Sequence, residues 1–391
     1  MKSRANPIMI RWAREQSGFD ARVVADKLGI PEERLRCWEN GAETPSIPQL
    51  RSMAEAYKRP MAAFYLAEVP RSFNIGTDFR RLPHDEPPRS MSPGLLLELR
   101  SAEYHRDVAL DLSTEISDTV QEFSFTTKLT DDEETCASRL RQHLNPQFVR
   151  RARNYLEVFR TWAGAVESSG VLVFQTTRVD VEEARGFSIS ANVFPVVAVN
   201  GKDWWAARLF TLLHEVTHIS LHSAGLCDLS EFGRDSDGAA RVEVFCNHVA
   251  AATLVSRDEL LSHHVVIAVP RNRVEWPDEQ LRYIARDFGV SPEVILRRLL
   301  YLGRTSEAFY RETRDRYQLE REQDTLRRRR PDSKIARNVP NEIVRDLGRP
   351  FVSIVLKTYG QERISLSEVA SYLDVRTKHI PKIEELSRLG S

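Results

Sequence analysis

The alternation of apolar and polar positions over the first 66 residues predicts several short helices separated by tight turns. The first helix begins around Ile10. Asp20 precedes the periodic stretch ARVVADKLG as a helix N-cap, and Ser46 with Gln49 has the spacing of a capping box. The glycines expected to end the first three helices are Gly18, Gly29 and Gly41. Short helices joined by glycine-containing turns predict a helix-turn-helix domain.

The pattern then passes from a linker to helices and strands. Prolines are frequent in residues 70–92, which predicts a linker, and helical patterns follow from Pro93 and over residues 131–168. Three short runs bounded by Gly, Pro and Asn predict strands, namely VLVFQT (171–176), GFSIS (186–190) and PVVAV (195–199). Helix returns in DWWAARLFTLLHEVTHISLH and around residues 238–254, so this part of the chain is predicted to combine α and β structure.

Two later stretches, LRYIARDFGVSPEVILRRLL (281–300) and LSEVASYLDVRTKHIPKIEEL (366–386), repeat the helix–turn–helix rhythm. The first has an apolar stripe and Ser291 as a start signal, so it is predicted to pack on the preceding domain rather than to read DNA. Residues 306–338 are strongly charged and include the run Arg327–Arg330, for which a solvated helix end or linker and a nucleic-acid contact both remain open. Residues 340–386 are predicted to form a separate helical lobe.

Composition narrows the class of protein. The chain has 391 residues, 41% of them hydrophobic, which excludes a wholly disordered or collagen-like chain and suggests two to four domains. The 56 basic residues balance the 56 acidic ones, which argues against non-specific coating of nucleic acid. The four cysteines form no CxxC pair, and no apolar run approaches the ~18 residues that span a bilayer. A cytoplasmic protein without a membrane partner is therefore expected.

The chemistry of the chain is concentrated in His214, Glu215 and His218, an HExxH motif inside an apolar, helix-periodic segment. Residues four apart lie on one face of a helix, so both imidazoles can reach one metal ion. Glu215 stands beside them as a candidate general base. Burying such groups unpaired costs several kcal/mol, which favours a metal site over two satisfied surface histidines.

A catalytic zinc site needs three protein ligands and one open position, and the HExxH motif supplies only two, so a third ligand must come from elsewhere in the chain. Glu243 lies on the next predicted helix and would give a His/His/Glu set. His222, one turn beyond the motif, is the second candidate, although three ligands spaced by four residues drift apart on a straight helix. His248 and Asp237 are further options.

Two segments resemble known families. FTLLHEVTHISLH, followed by Glu243-x-x-x-Asn247 and AAATLVS, is similar to the ImmA/IrrE family of metallopeptidases, as is the lead-in GFSISANVFPVVAVN. REQSGFDARVVADKLGIPEERLRCWENGAETPSIPQLRSMAEAY resembles the XRE helix-turn-helix group. Together the two resemblances cover about half of the chain. The usual Ala before the family's Asn is Cys246 here, which leaves the helix intact.

The ImmA/IrrE resemblance implies a zincin-like α+β peptidase that acts on helix-turn-helix repressors. It also implies that His214, His218 and Glu243 bind Zn²⁺ and that Glu215 is the general base. The fold class expected from pattern and resemblance is a mainly α multidomain protein, with an N-terminal helix-turn-helix bundle, a small zincin-like domain and a helical C-terminal tail. The expected bounds are an XRE-like domain at 1–69, a linker and helical connector at 70–150, the peptidase domain at 151–305, and a charged linker with a C-terminal lobe at 306–391.

DNA binding by the first domain is less clearly indicated. The expected recognition helix, PEERLRCWEN, begins with Glu32 and Glu33, whose carboxylates repel phosphates. Ala21 occupies a position where a polar phosphate contact is common. The candidate DNA-binding residues that could compensate are Arg22, Arg34 and Arg36. A protein-interaction or homodimerisation role and a structural remnant stay open beside contact with double-stranded DNA.

Two functions follow from these observations. The first is a zinc-dependent metallo-endopeptidase regulator that cleaves a protein substrate such as a transcriptional repressor, with PVVAV pairing with the substrate backbone. The second is a non-proteolytic DNA-binding or antitoxin-type protein whose zinc is structural or sensory. Glu215 favours the peptidase, because a site closed by four ligands has no use for a general base.

Overall fold

The computed structural model describes residues 4–69 except 58 and 60, 79–80, 91–146 except 118 and 119, 154–223, 236–328 except 272, and 338–388. Two units are distinguished within the chain. One comprises residues 1–76 and 82–104, and the other comprises residues 77–81 and 105–391.

The first unit contains the predicted helix-turn-helix bundle. Its helices are α1 (Pro7–Gln16), α2 (Ala21–Leu28), α3 (Glu32–Asn40) and α4 (Ile47–Tyr57), followed by a 3₁₀ turn (Met61–Tyr65). The Asp20 carboxylate caps α2, Gly29 and Gly41 take left-handed conformations at the ends of α2 and α3, and Ser46 with Gln49 forms the predicted capping box. α1 begins earlier than expected because the Asn6 side chain caps it.

An apolar core and one ion pair hold these helices together. Arg14 on α1 donates to Glu39 on α3 through two nitrogens, at 2.6 and 3.1 Å. Glu39 is buried, and this pairing raises the pKa of Arg14. The largest core side chains are Ile10, Leu35, Trp38, Leu50, Met53, Tyr57 and Phe64.

Three helices come before the strand Leu172–Thr176 in the chain: α5 (Pro93–Glu115), α6 (Glu133–Leu144) and α7 (Tyr155–Ser168). The Ser92, Asp132 and Asn154 side chains accept from backbone N–H groups at their starts. The helical pattern predicted over 131–168 is confirmed in α6 and α7.

The sheet of the second unit has the strands β1 (Phe79–Arg80), β2 (Leu172–Thr176), β3 (Gly186–Ile189) and β4 (Val196–Asn200). Their order is β1-β3-β4-β2, with β2 and β4 parallel and the other pairs antiparallel. β2, β3 and β4 confirm the three predicted strands. β1 lies within the expected linker, and two residues are too few to leave a pattern in the sequence.

The role expected for PVVAV is wrong in one respect. β4 runs between β2 and β3 and is buried at all five positions, so both of its edges are already hydrogen-bonded within the sheet. A substrate backbone therefore has no open edge on this strand.

Further helices follow and build most of the core, and the first of them packs against β3 and β4. They are α8 (Trp205–Ser223), α9 (Ser236–Leu254), α10 (Arg257–Leu261), α11 (His264–Ile267), α12 (Asp278–Phe288) and α13 (Pro292–Tyr301). Leu281, Ile284, Ile295 and Leu299 belong to the same buried cluster as Leu213 of α8. The prediction that residues 281–300 pack on this domain is therefore confirmed.

The C-terminal elements are α14 (Glu307–Arg328), α15 (Val339–Leu347), α16 (Arg349–Gly360), α17 (Leu366–Tyr372), a 3₁₀ turn (Thr377–His379) and α18 (Ile380–Arg388). The charged stretch is thus helical up to Arg328, while the side chains of Arg327–Arg330 lie outside the described residues.

The region expected to be a separate lobe instead contacts the sheet. The Gln175 side chain on β2 donates to the Arg345 carbonyl at 3.2 Å, and the rings of Phe174 and Phe351 are 6.1 Å apart. Phe351 is fully buried, which explains why these helices pack against β2. Within the described ranges, no helix is long and apolar enough to cross a membrane.

Candidate metal centre

The HExxH residues lie on α8, where helical geometry places the two histidines one turn apart on the same face. The Nε2 atoms of His214 and His218 are 3.0 Å apart. Both side chains are buried, and the Phe210 ring stacks against His214 one turn earlier. The two imidazoles therefore converge on one point at the inner face of α8.

α9 brings a carboxylate to the same point. The Glu243 oxygens lie 3.4 Å from His214 Nε2 and 3.2 Å from His218 Nε2. Burial by itself would raise the pKa of Glu243, but its hydrogen bonds to the two imidazoles outweigh that effect and place the pKa well below its ordinary value. Glu243 remains 39% exposed, so the cluster has one side open to solvent.

The donor set suits a zinc ion. One ligand atom from each of His214, His218 and Glu243 lies within 4.8 Å of the other two. Two imidazole nitrogens and one carboxylate oxygen are the protein ligands of one class of hydrolytic zinc site, which keeps a fourth position open. These residues can hold the metal that the sequence predicts, and their role as ligands stays a prediction.

Glu215 is fully buried beside this cluster. The Ser188 hydroxyl on β3 donates to Glu215 Oε2 at 2.9 Å. A buried carboxylate with a defined hydrogen bond has a fixed orientation, which general-base chemistry needs. Ser188 was not predicted as a site residue; the available signal was the Gly-x-Ser spacing in GFSIS, because alternate strand residues share a face.

The structure separates the remaining ligand candidates. His248 stacks on the Tyr301 ring at 4.0 Å and lies 3.6 Å from Glu134, so it belongs to a different contact network. The side chains of His222 and Asp237 lie outside the described residues. Cys246 is fully buried, and burial raises the pKa of its thiol to about 11 although the thiol also hydrogen-bonds to His218.

The three arginines proposed for DNA contact lie in the helix-turn-helix bundle. Arg36 pairs with Glu32 at 2.6 Å, and Arg34 lies 3.6 Å from Glu43. The Arg22 backbone N–H donates to the capping carboxylate of Asp20. The two arginines of α3 are thus partly neutralised by their own domain, and their contact with DNA stays a prediction.

Two family models match parts of the chain. Residues 10–64 match the helix-turn-helix family model. Residues 166–300 match the model of the IrrE N-terminal-like domain, a peptidase family designated M78, and this range includes α8, α9 and the three strands β2–β4. No curated protein matches the chain significantly. The helix-turn-helix model thus covers the bundle of the first unit, and the IrrE N-terminal-like model covers the helices that carry His214, His218 and Glu243.

Proposed function

We propose that this protein is a zinc-dependent endopeptidase that regulates by cleaving a specific protein. The observation that carries the proposal is the convergence of His214, His218 and Glu243 beside the buried Glu215. Among the described residues three donors converge, which is the number found in a catalytic site rather than in a structural site closed by four ligands.

In this mechanism His214, His218 and Glu243 would hold Zn²⁺. When bound, the ion supplies a Lewis acid that polarises the scissile carbonyl and makes water more acidic. Glu215 removes a proton from the attacking water and delivers it to the leaving amine, so that one carboxylate acts first as base and then as acid. Ser188 holds one oxygen of that carboxylate during both transfers.

The helix-turn-helix domain would bring the peptidase to its target. We propose double-stranded DNA as one binding partner, with Arg22, Arg34 and Arg36 as contacts, and a helix-turn-helix repressor as the substrate. A protein that works on DNA-bound regulators would act in the cytoplasm. The Glu32–Arg36 ion pair favours a second role for this domain, docking to another protein or to a second copy, because it removes charge from the expected DNA face.

The test is to incubate the zinc-loaded protein with the repressors encoded next to its gene and to measure intact masses. Wild type should produce two fragments from one repressor, and Glu215→Gln should produce them far more slowly. Glu312→Gln is a matched control, since Glu312 is an exposed glutamate on α14. Equal cleavage by the Glu215→Gln protein, or no cleavage by wild type, would contradict the proposal.

A further inference from the structure

The contact between Ser188 and Glu215 joins β3 to the helix that carries the HExxH motif. The Ser188 side chain is 4% exposed and Glu215 is fully buried, and the hydroxyl and Glu215 Oε2 are 2.9 Å apart. A carboxylate that leaves water loses its hydration, so each hydrogen bond that it accepts in the interior stabilises it more than it would at the surface. Solvent competes little for this bond.

Gly186 lets β3 approach α8 closely enough for this contact. Gly186 and Ser188 lie two residues apart on one strand and therefore share the face toward the helix. A Cβ atom at position 186 would lie 2.4 Å from Thr211 Cγ2 and 2.8 Å from the Ala198 carbonyl oxygen. It would also lie 3.5 Å from Glu215 Oε1. Any larger residue would have to push α8 and its carboxylate away from the strand.

The two oxygens of Glu215 consequently meet different surroundings on β3. Oε2 accepts from the Ser188 hydroxyl, whereas Oε1 lies near the Gly186 backbone, where a Cβ atom would be 3.5 Å from it. The strand thereby distinguishes the two oxygens and selects one rotation of the carboxylate about its terminal bond. That bond is otherwise a broad, roughly two-fold torsion.

We propose that Ser188 is a positioning residue for the general base, and that β3 fixes which oxygen of Glu215 faces the attacking water. The inference rests on the proposed role of Glu215 as the base. Ser188 touches neither substrate nor metal in this scheme and acts through Glu215. Loss of its hydroxyl lets the carboxylate rotate, which slows proton transfer without altering how the substrate binds.

The kinetic test is a double-mutant cycle with Ser188→Ala and Glu215→Gln. The rates are measured in single turnover with the intact repressor that the wild-type protein cleaves. Ser188→Ala should lower kcat about 10- to 100-fold and leave KM and zinc content unchanged. The same substitution should cost almost nothing further in the Glu215→Gln protein, because no carboxylate remains to be positioned. Ser188→Thr should restore most of the rate, and Ser190→Ala, an exposed serine of the same segment, should have no effect.

A second readout does not depend on catalysis. Unfolding of the metal-free protein in urea should show coupling between Ser188→Ala and Glu215→Leu, which removes the acceptor, with a 10- to 100-fold non-additive change in the unfolding equilibrium constant. Additive effects in this cycle, or an equal kinetic loss in both backgrounds, would overturn the inference. If wild type cleaves nothing, the proposed function fails, and coupling in urea would still support the positioning of Glu215.

Discussion

The His214 imidazole lies 3.4 Å from the Glu243 carboxylate, although the two residues belong to different helices. A carboxylate in this largely buried position loses hydration, which costs free energy unless neighbouring polar or charged groups offset the loss. Hydrogen bonds between Glu243 and the two imidazoles offset part of that cost, and a divalent cation held by the three residues would offset more of it. Metal binding should therefore stabilise the contact between α8 and α9.

The first prediction concerns metal content. The purified protein should contain about one zinc per chain, and the His214→Ala/His218→Ala double variant should contain almost none, because two of three ligands are gone. Elemental analysis after dialysis measures this. His248→Ala is the control, since His248 stacks on Tyr301 outside the cluster, and it should keep its zinc. Full occupancy in the double variant would show that the metal binds elsewhere.

The second prediction separates the two glutamates. Glu243→Ala should lower zinc affinity, because it removes a ligand, whereas Glu215→Gln should keep the zinc and lose roughly 10²–10⁴-fold in rate. Competition with a chelator gives the affinity and fragment formation gives the rate. Normal zinc binding by Glu243→Ala together with its loss in His222→Ala would move the third ligand to His222.

The third prediction concerns the ion pair between Arg298 and Glu134, which links α13 to α6. Arg298 on α13 is fully buried and donates to both oxygens of Glu134 on α6, at 2.6 and 2.9 Å, and to the carbonyl of Val255. Glu134→Gln leaves the guanidinium buried without its counter-charge, so the free energy of unfolding should fall by about 3–5 kcal/mol. Urea titration would detect this. Glu133→Gln, at the neighbouring and more exposed position, should change stability little; equal losses would rule out the ion pair as the cause.

Local structure was largely predictable because its causes are local. Asp20 and Ser291 cap α2 and α13 as their positions indicate, and the three main strands lie where the β-branched runs predict them. The spacing of His214 and His218 was sufficient to place both imidazoles on one face. These features depend on residues that are near one another in the chain.

Features that depend on the order of elements in space were not predictable. Nothing in PVVAV distinguishes a central strand from an edge strand, since its buried pattern fits either position next to covering helices. The partnership of Ser188 with Glu215 depends on how β3 lies against α8. The packing of Phe351 on Phe174 likewise required knowing that the C-terminal helices fold back onto β2.

The fourth prediction concerns DNA. If the first domain binds DNA, its affinity for the region upstream of its own gene should fall steeply with salt, and Arg34→Ala or Arg36→Ala should weaken binding to all sequences alike. Glu32→Gln should strengthen binding, because it releases Arg36 from its ion pair and removes a negative charge. A mobility-shift assay measures these changes, with Arg51→Ala on α4 as control. Absence of any shift at about 50 mM salt would favour the protein-docking role.

The fifth prediction follows from a buried histidine on α5. His105 lies between the rings of Phe174 and Phe351, at centroid distances of 5.7 and 4.9 Å. Burial lowers the pKa of His105 from 6.5 to about 4, although a hydrogen bond with the Tyr372 backbone and the charge of Asp374 act in the opposite direction and Arg178 adds to the lowering. His105 is therefore protonated at a lower pH in the folded protein than in the unfolded chain.

The sign of the effect on stability is fixed by that difference. Above pH 6.5 the imidazole is neutral in both the folded and the unfolded state, so the pH does not change stability through this group. As the pH falls from 6.5 to 4, the unfolded chain binds the proton first, and the free energy of unfolding decreases. The loss amounts to about 1.4 kcal/mol per pH unit, or roughly 3 kcal/mol over this window. His105→Phe should remove this dependence, whereas the exposed His264→Gln should not. Urea unfolding of the three proteins at several pH values gives their free energies of unfolding. The difference between wild type and each variant isolates the histidine, because the other groups titrate equally in both proteins. Parallel curves for wild type and His105→Phe would mean that His105 becomes protonated in the folded state without cost, and that its contact with Phe174 and Phe351 does not depend on a neutral ring.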